Sequence, residues 1–307
     1  MGPGQKPAGM AGGSNRALLN NDHLMGNNPQ MNVRVGAVQL ISNPHDVEDN
    51  IQRSLAYCDR AAKRGVQILC FPECASTGFD WLGDRHAAER VYAEPVPGPM
   101  VDLFAQKASE TGMYIIYGVV ERPKRSKKIY NTAFFVGPEE GYIGNHRKVL
   151  SESVFHDGTE ANVFDTPYGK IGIFICADMR SPELSRLLAL KGARILFQPT
   201  NYFHADGIEI AKRYRGKGTA QRARAMDNGV HLVIANGGRR EYVNNSRIIA
   251  PNSQGPESKL AYATRKEQLL VADITYDLED NKVLGAAKRS PWRFEELAKE
   301  MLRATGK

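Results

Sequence analysis

VRVGAVQL (33–40), the stretch Val47–Lys63 and VQILCFPE (66–73) are the part of the chain whose reading decides the fold. The first and third are short apolar runs of the kind that form buried strands, and the second carries apolar residues at helical spacing. The rhythm is strand, helix, strand. Beyond it come a helical segment near Met100–Ser109 and two strands, MYIIYGVVE (113–121) and TAFFVG (132–137). KIGIFICAD (170–178) reads as a strand that stops at Cys176 and Ala177, followed by a helix over Pro182–Lys191 and the strand RILFQPT (194–200). A long helix over Ile208–Asp227 and the strands HLVIAN (231–236), SRIIAP (246–251) and LLVADI (269–274) complete the series. Strands and helices that alternate without a linker predict one α/β domain with helices covering the sheets, and so many strands favour two packed sheets over one. No internal repeat is present, which excludes solenoids and propellers.

Composition agrees with an enzyme-sized globular domain. The 307 residues are 42% hydrophobic and 24% charged and include 29 glycines, without the biases of disordered or disulfide-built chains. Residues 1–30, rich in Gly, Asn and Pro and without hydrophobic period, are expected to be a flexible tail. The fold proper is expected over 31–285, with 286–307 as a C-terminal helical extension that could serve an oligomer contact. The formal net charge of +7 is spread out, and its densest patches, Arg122–Lys128 and Lys212–Arg224, lack the run of aromatics that single-strand binders stack on, so no nucleic-acid partner is expected. No stretch reaches the roughly 18–20 apolar residues of a membrane helix and the start lacks the apolar core of a signal peptide, which points to the cytoplasm and to no membrane partner. Four irregularly spaced cysteines, Cys58, Cys70, Cys74 and Cys176, are too few for a disulfide framework. A reactive thiol is therefore available.

Reactive residues of α/β folds tend to sit where strands end. Glu73 ends ILCFP, Lys148 follows YIGNH (142–146) and Cys176 ends IGIFI (171–175). Taken singly, these read as a surface charge, a solvated lysine and a small core residue. Their contexts read together. FPECASTGFD (71–80), GNHRKVLSE (144–152) and GIFICADMRSPE (172–183) resemble, in order and spacing, the three catalytic motifs of the nitrilase superfamily, and the resemblance runs from about Val33 to Asp273. It implies a four-layer α-β-β-α sandwich, usually assembled into dimers or larger oligomers, and a small-molecule amide or N-carbamoyl substrate. The catalytic set it implies is Glu73 as general base, Lys148 as oxyanion stabiliser and Cys176 as nucleophile, with no metal and no cofactor.

These roles suit the residue types. A thiol needs a neighbouring base or cation to react as thiolate at neutral pH, which Glu73 and Lys148 supply. Lys148 and the backbone N–H of Ala177 would then hold the oxyanion. Cys74 is the rival nucleophile, disfavoured because side chains adjacent in sequence point apart and Glu73 is its immediate neighbour. Family members place a second glutamate after the lysine; Glu152 is the matching candidate and Glu160 the alternative. Asn201, after RILFQPT, stands where relatives contribute a substrate-facing residue, and Arg222 and Arg224 resemble a structural or interface pair. Ala177 followed by Asp178 resembles the amidase and carbamoylase branches, whereas nitrilases usually carry tryptophan and glutamate there. Arg180 could hold a substrate carboxylate by its planar fork or pair with Glu183. Nitrile hydrolysis, acyl transfer to an amine and a non-catalytic scaffold on the same fold are the competing readings.

Overall fold

The structure, a computed structural model, describes residues 30–43, 46–78, 92–201, 208–237, 246–251, 259–264 and 266–306. The expected tail over 1–30 thus lies outside the described residues except for Gln30, which opens the first strand. In chain order the elements are β1 (Gln30–Gln39), α1 (Val47–Ala62), β2 (Ile68–Cys70), α2 (Pro99–Thr111), β3 (Tyr114–Glu121), β4 (Tyr130–Gly137), β5 (Gly141–Arg147), β6 (Val163–Phe164) and β7 (Ile171–Ile173). A 3-10 turn over Cys176–Arg180 follows, then α3 (Pro182–Leu190), β8 (Ile195–Asn201), α4 (Ile208–Asn228), β9 (His231–Gly237), β10 (Arg247–Ile249), β11 (Lys259–Tyr262) and β12 (Gln268–Asp277). Helices α5 (Lys282–Arg289) and α6 (Trp292–Ala304) close the chain. No helix among the described residues is long and apolar enough to cross a membrane.

Two six-stranded sheets carry the fold, in the orders β12-β1-β2-β3-β4-β5 and β11-β10-β9-β8-β7-β6. Each has a parallel centre, β1-β2-β3 in one and β7-β8-β9 in the other, and antiparallel flanks. The period-two alternation of the strands explains the layering. Val33, Val35, Ala37, Ile68, Ile116 and Phe135 face Ile173, Ile195, Phe197 and Val233 of the other sheet and form the core between them. Their alternates, such as Val38, Leu69, Ile115 and Tyr117, pack against Tyr57 and Cys58 of α1 and Val101 and Phe104 of α2. On the far side Leu196, Leu232 and Ile234 pack against Leu184 and Leu188 of α3 and Ala225 of α4. The four layers are α-β-β-α, as the resemblance of the three motifs implies, and the two packed sheets agree with the strand–helix rhythm of the sequence.

Local chemistry sets the helix ends. Asp46 caps α1 by accepting from the Asp49 N–H, Pro99 opens α2 in its first turn and Gly112 closes it in the left-handed conformation (φ 68°), and Ser181 caps α3 ahead of Pro182. Two strands are shorter than their apolar runs. The run 170–178 was expected to stay extended to Cys176, yet its ladder ends at Ile173, and Phe174 and Ile175 continue as buried chain into the 3-10 turn. The run 66–73 keeps ladder pairing only over Ile68–Cys70, since Pro72 has no N–H to donate. Burial sustains the apolar pattern past the point where pairing stops.

Gly118 of β3 shows how closely the turn after β2 is packed. A Cβ there would lie 2.4 Å from the Pro72 carbonyl oxygen and 2.9 Å from the Glu73 Cα. Both are backbone atoms. Gly118→Ala is therefore expected to destabilise the protein by about 1–3 kcal/mol and to slow any reaction that depends on Glu73, because the turn must shift to make room. Denaturant titration beside rate measurements checks this, and an unchanged midpoint with an unchanged rate would contradict it.

Candidate active site

Glu73, Lys148 and Cys176 arise at the ends of β2, β5 and β7, and the stacking of the two sheets brings them to one place. Glu73 and Lys148 are fully buried, and Cys176 keeps 9% of its surface, so of the three only the cysteine retains any exposure. Lys148 Nζ donates to Glu73 Oε1 at 2.7 Å and to Glu152 Oε1 at 2.6 Å. Glu152 is thus the second carboxylate on the lysine. Glu160, the alternative, is exposed and accepts from the Asn162 side chain instead.

Glu73 carries two further bonds. Asn131 Nδ2 of β4 donates to its Oε1 at 2.7 Å, and the backbone N–H of Asn201 donates to its Oε2 at 2.8 Å. A carboxylate offers about four lone-pair directions, and three are filled by described residues. The remaining one, on Oε2, is where a proton can land. Burial pushes the Glu73 carboxyl above its ordinary 4.5; the Lys148 charge pulls it back, the Glu152 charge adds to the rise, and the bonds from Lys148 and Asn131 favour the ionised form. For Lys148, burial opposes the charged state, but the charges of Glu73, Cys176 and Glu152 outweigh it and hold the ammonium well above its usual range.

Cys176 begins the 3-10 turn with φ 44°, in the left-handed region that a non-glycine residue enters only when its surroundings hold it there. Its carbonyl accepts from Gln198 Nε2 of β8 at 3.0 Å, and Gln221 Nε2 of α4 donates to Gln198 Oε1 at 2.7 Å. The helix layer thereby braces the turn. The Ala177 N–H, at the start of the turn, donates to no acceptor among the described residues. Cys74 also has positive φ (46°), but its thiol is fully buried, sits 3.8 Å from Asn131 Oδ1, and is pushed up by burial and by the Glu73 charge. Burial pushes up Cys58 and Cys70 in the same way. Only Cys176 among the four combines some exposure with a neighbouring cation.

Of the other residues named from sequence, Asn201 enters through its backbone, and Arg224 through an Nε bond to the Met179 carbonyl at 3.2 Å, which ties α4 to the turn. Arg180 is exposed and has no hydrogen bond or ion pair among the described residues, and Glu183 accepts from the Ser181 hydroxyl at 2.9 Å. The alternative Arg180–Glu183 pair is not formed among the described residues. Sequence reasoning passed over Asn131, Gln198 and Gln221. A signal existed for the first two, since Asn131 and Gln198 each stand at the end of an apolar strand run, where a buried amide side chain needs partners. A cavity of about 440 Å³ lined by Arg194, His231 and Tyr276 lies at the opposite end of β8 and β9, roughly 20 Å from Asn201 at the usual rise per residue, and is separate from this cluster.

Residues 34–280 match the family model described as carbon-nitrogen hydrolase. The chain belongs to this family. As a carbon-nitrogen hydrolase it is 33% identical over 264 residues to omega-amidase NIT2 of Xenopus tropicalis, covering 80% of this chain and 89% of that protein. It is 32% identical over 259 residues to omega-amidase NIT2-B of Xenopus laevis, covering 78% and 88%. Among solved structures it resembles Nit3 of Saccharomyces cerevisiae, a member of branch 10 of the nitrilase superfamily, with a TM-score of 0.69 and 25% identity over 85% of this chain and 94% of that one. It also shares its fold with a mutant of the amidase from Nesterenkonia sp. AN1 (TM-score 0.70, 21% identity, 85% and 95% covered), which shows covalent addition of the acetamide moiety of fluoroacetamide at the active-site cysteine.

The bond from Asn131 favours the ionised Glu73, so its loss must raise the carboxyl further. Asn131→Ala is expected to move the acid limb of kcat/KM to higher pH, activity then being lost earlier as pH falls, and to cost roughly tenfold in rate at neutral pH. A pH profile whose acid limb stays in place or moves down would contradict a role for Asn131 in holding Glu73 ionised.

Proposed function

We propose that the protein hydrolyses the amide bond of a small carboxylate-bearing molecule through a thioester on Cys176. The observation that carries this reading is the buried Lys148 ammonium between two carboxylates, with the charge of Cys176, on a strained turn, also acting on it. Two negative charges share one positive charge, which makes Glu73 ready to take a proton. The Cys176 thiol gives its proton to Glu73 Oε2, the thiolate attacks the amide carbon, and the carbonyl oxygen gains the negative charge. The Lys148 ammonium and the Ala177 N–H hold that oxyanion. Collapse breaks the C–N bond, and the departing nitrogen takes the proton from Glu73 and leaves as ammonia or an amine. Water, giving a proton to Glu73, then attacks the thioester; collapse breaks the C–S bond, and the departing sulfur takes the proton back from Glu73, which releases the carboxylic acid and restores the thiol and the carboxylate.

The relatives named omega-amidases support an amide over a nitrile, in keeping with Ala177 and Asp178 after the cysteine. N-carbamoyl amino acids offer the same carbonyl and leaving nitrogen and remain within the class. The exposed guanidinium of Arg180, without a partner among the described residues and one turn beyond the nucleophile, suits the substrate's carboxylate. A scaffold role is disfavoured, since a buried lysine with two carboxylates is costly to keep for binding alone.

In a panel of amides, N-carbamoyl amino acids and nitriles read by ammonia release, carboxylate-bearing amides are expected to turn over fastest. Cys176→Ala should abolish turnover with the fold intact, and Glu73→Gln and Lys148→Ala should each cost roughly two to four orders of magnitude. More than a few per cent of activity in the cysteine variant would overturn the assignment. Arg180→Lys should raise KM for carboxylate-bearing substrates about tenfold or more and spare neutral amides; equal losses on both would return Arg180 to the scaffold.

The same reading includes a homo-oligomer joined through the C-terminal segment. Trp292, Leu297, Met301 and Leu302 of α6 are exposed, and an isolated helix of 13 residues is marginal in water without a covered apolar face. Sedimentation should show a multiple of the 34.0 kDa chain that falls to the monomer when residues 286–307 are removed. An unchanged mass would place the interface elsewhere.

A further inference from the structure

Asp178 lies two residues after the nucleophile, and its side chain is completely buried. All of its acceptor capacity is used. Oδ1 accepts from the backbone N–H groups of Val149 (2.9 Å) and Leu150 (2.8 Å), and Oδ2 accepts from the N–H of Ile175 (2.8 Å) and from His146 Nε2 (3.0 Å). Val149 directly follows Lys148, and Ile175 directly precedes Cys176. One carboxylate therefore grips the chain immediately beside the ammonium and immediately beside the sulfur. The two segments belong to different sheets, Lys148 following β5 of the first and Cys176 following β7 of the second. Neither sheet's ladder can set the distance between them.

The geometry points to Asp178 as a positioning residue that acts through the backbone of Val149, Leu150 and Ile175 to fix the Lys148 ammonium opposite the Cys176 sulfur and the Ala177 N–H. His146 of β5 is its fourth donor and orients the carboxylate; because the partner oxygen accepts, Nε2 carries the hydrogen, and Nδ1 has no partner among the described residues. This inference rests on Cys176 being the nucleophile. It concerns the spacing of the reacting groups, so it predicts an effect on the chemical step and on thiol reactivity with little effect on substrate affinity.

Asp178→Asn keeps the shape but puts an NH₂ group where two donors point. In the folded variant kcat is expected to fall by about a hundredfold or more with KM within about threefold, the scale of a misplacement near 1 Å. The second-order rate of Cys176 alkylation by iodoacetamide, followed by intact mass, is expected to fall alongside it. His146→Phe removes one of the four bonds and keeps a planar ring; it should lower both rates about tenfold, and the double variant should be no slower than Asp178→Asn alone. If Asp178→Asn does not fold, the His146→Phe rates decide. Unchanged kcat and alkylation per folded molecule in the folded variants, with all loss explained by a lower melting temperature, would overturn the inference and leave Asp178 a structural residue. A wild-type protein that turns over amides without labelling at Cys176 would instead overturn the nucleophile assignment on which it stands.

Discussion

The Lys148 ammonium has no contact with solvent, and the site depends on how that charge is satisfied. An unpaired ammonium in a protein interior costs several kcal/mol after relaxation, and removing one partner of a buried pair typically costs about 3–5 kcal/mol. Glu73 arrives from the end of β2 and Glu152 from the loop after β5, at 2.7 and 2.6 Å. With two carboxylates on one cation the cluster carries a surplus negative charge, and burial keeps that surplus from being screened. The same imbalance that makes the cluster expensive gives Glu73 its appetite for a proton. Structure and chemistry have one electrostatic cause.

A second constraint is conformational. Cys176 sits at φ 44° and Cys74 at 46°, a region that costs of order 1–3 kcal/mol for a residue with a side chain. The surrounding layers maintain it. Gln198 and Gln221 brace the Cys176 carbonyl from β8 and α4, and the Glu73 turn lies against Gly118 of β3, where there is no room for a methyl group. The close stacking of sheets and helices, which is a matter of apolar packing, is thus what makes the strained turns affordable.

Much of this was legible in the chain. The near-continuous apolar runs over 33–39, 114–121 and 231–237 reflect strands whose successive side chains face a sheet core on one side and a helix layer on the other, a local consequence of the pleat. The helices were legible as well, near Met100–Ser109 and over Pro182–Lys191, and Pro99, Gly112, Ser181 and Pro182 set their ends by preferences that act within a turn. Strand ends were less legible. At Ile173 pairing stops while burial continues through Ile175, and hydrophobicity reports burial alone.

By itself the sequence determined the layered α/β architecture and offered Glu73, Lys148 and Cys176, because periodicity and the three motifs are properties of neighbouring residues. Only the tertiary structure decided which groups complete them. Asn131 and the Asn201 backbone reach Glu73 from 58 and 128 residues away, and Glu152 rather than Glu160 meets the lysine. Asp178, at first sight a mark of the amidase branch, proved to bind the segments on either side of the site. These partners meet where strands of two sheets end together, and the relative placement of those ends is set by how the sheets pack, which no local pattern encodes.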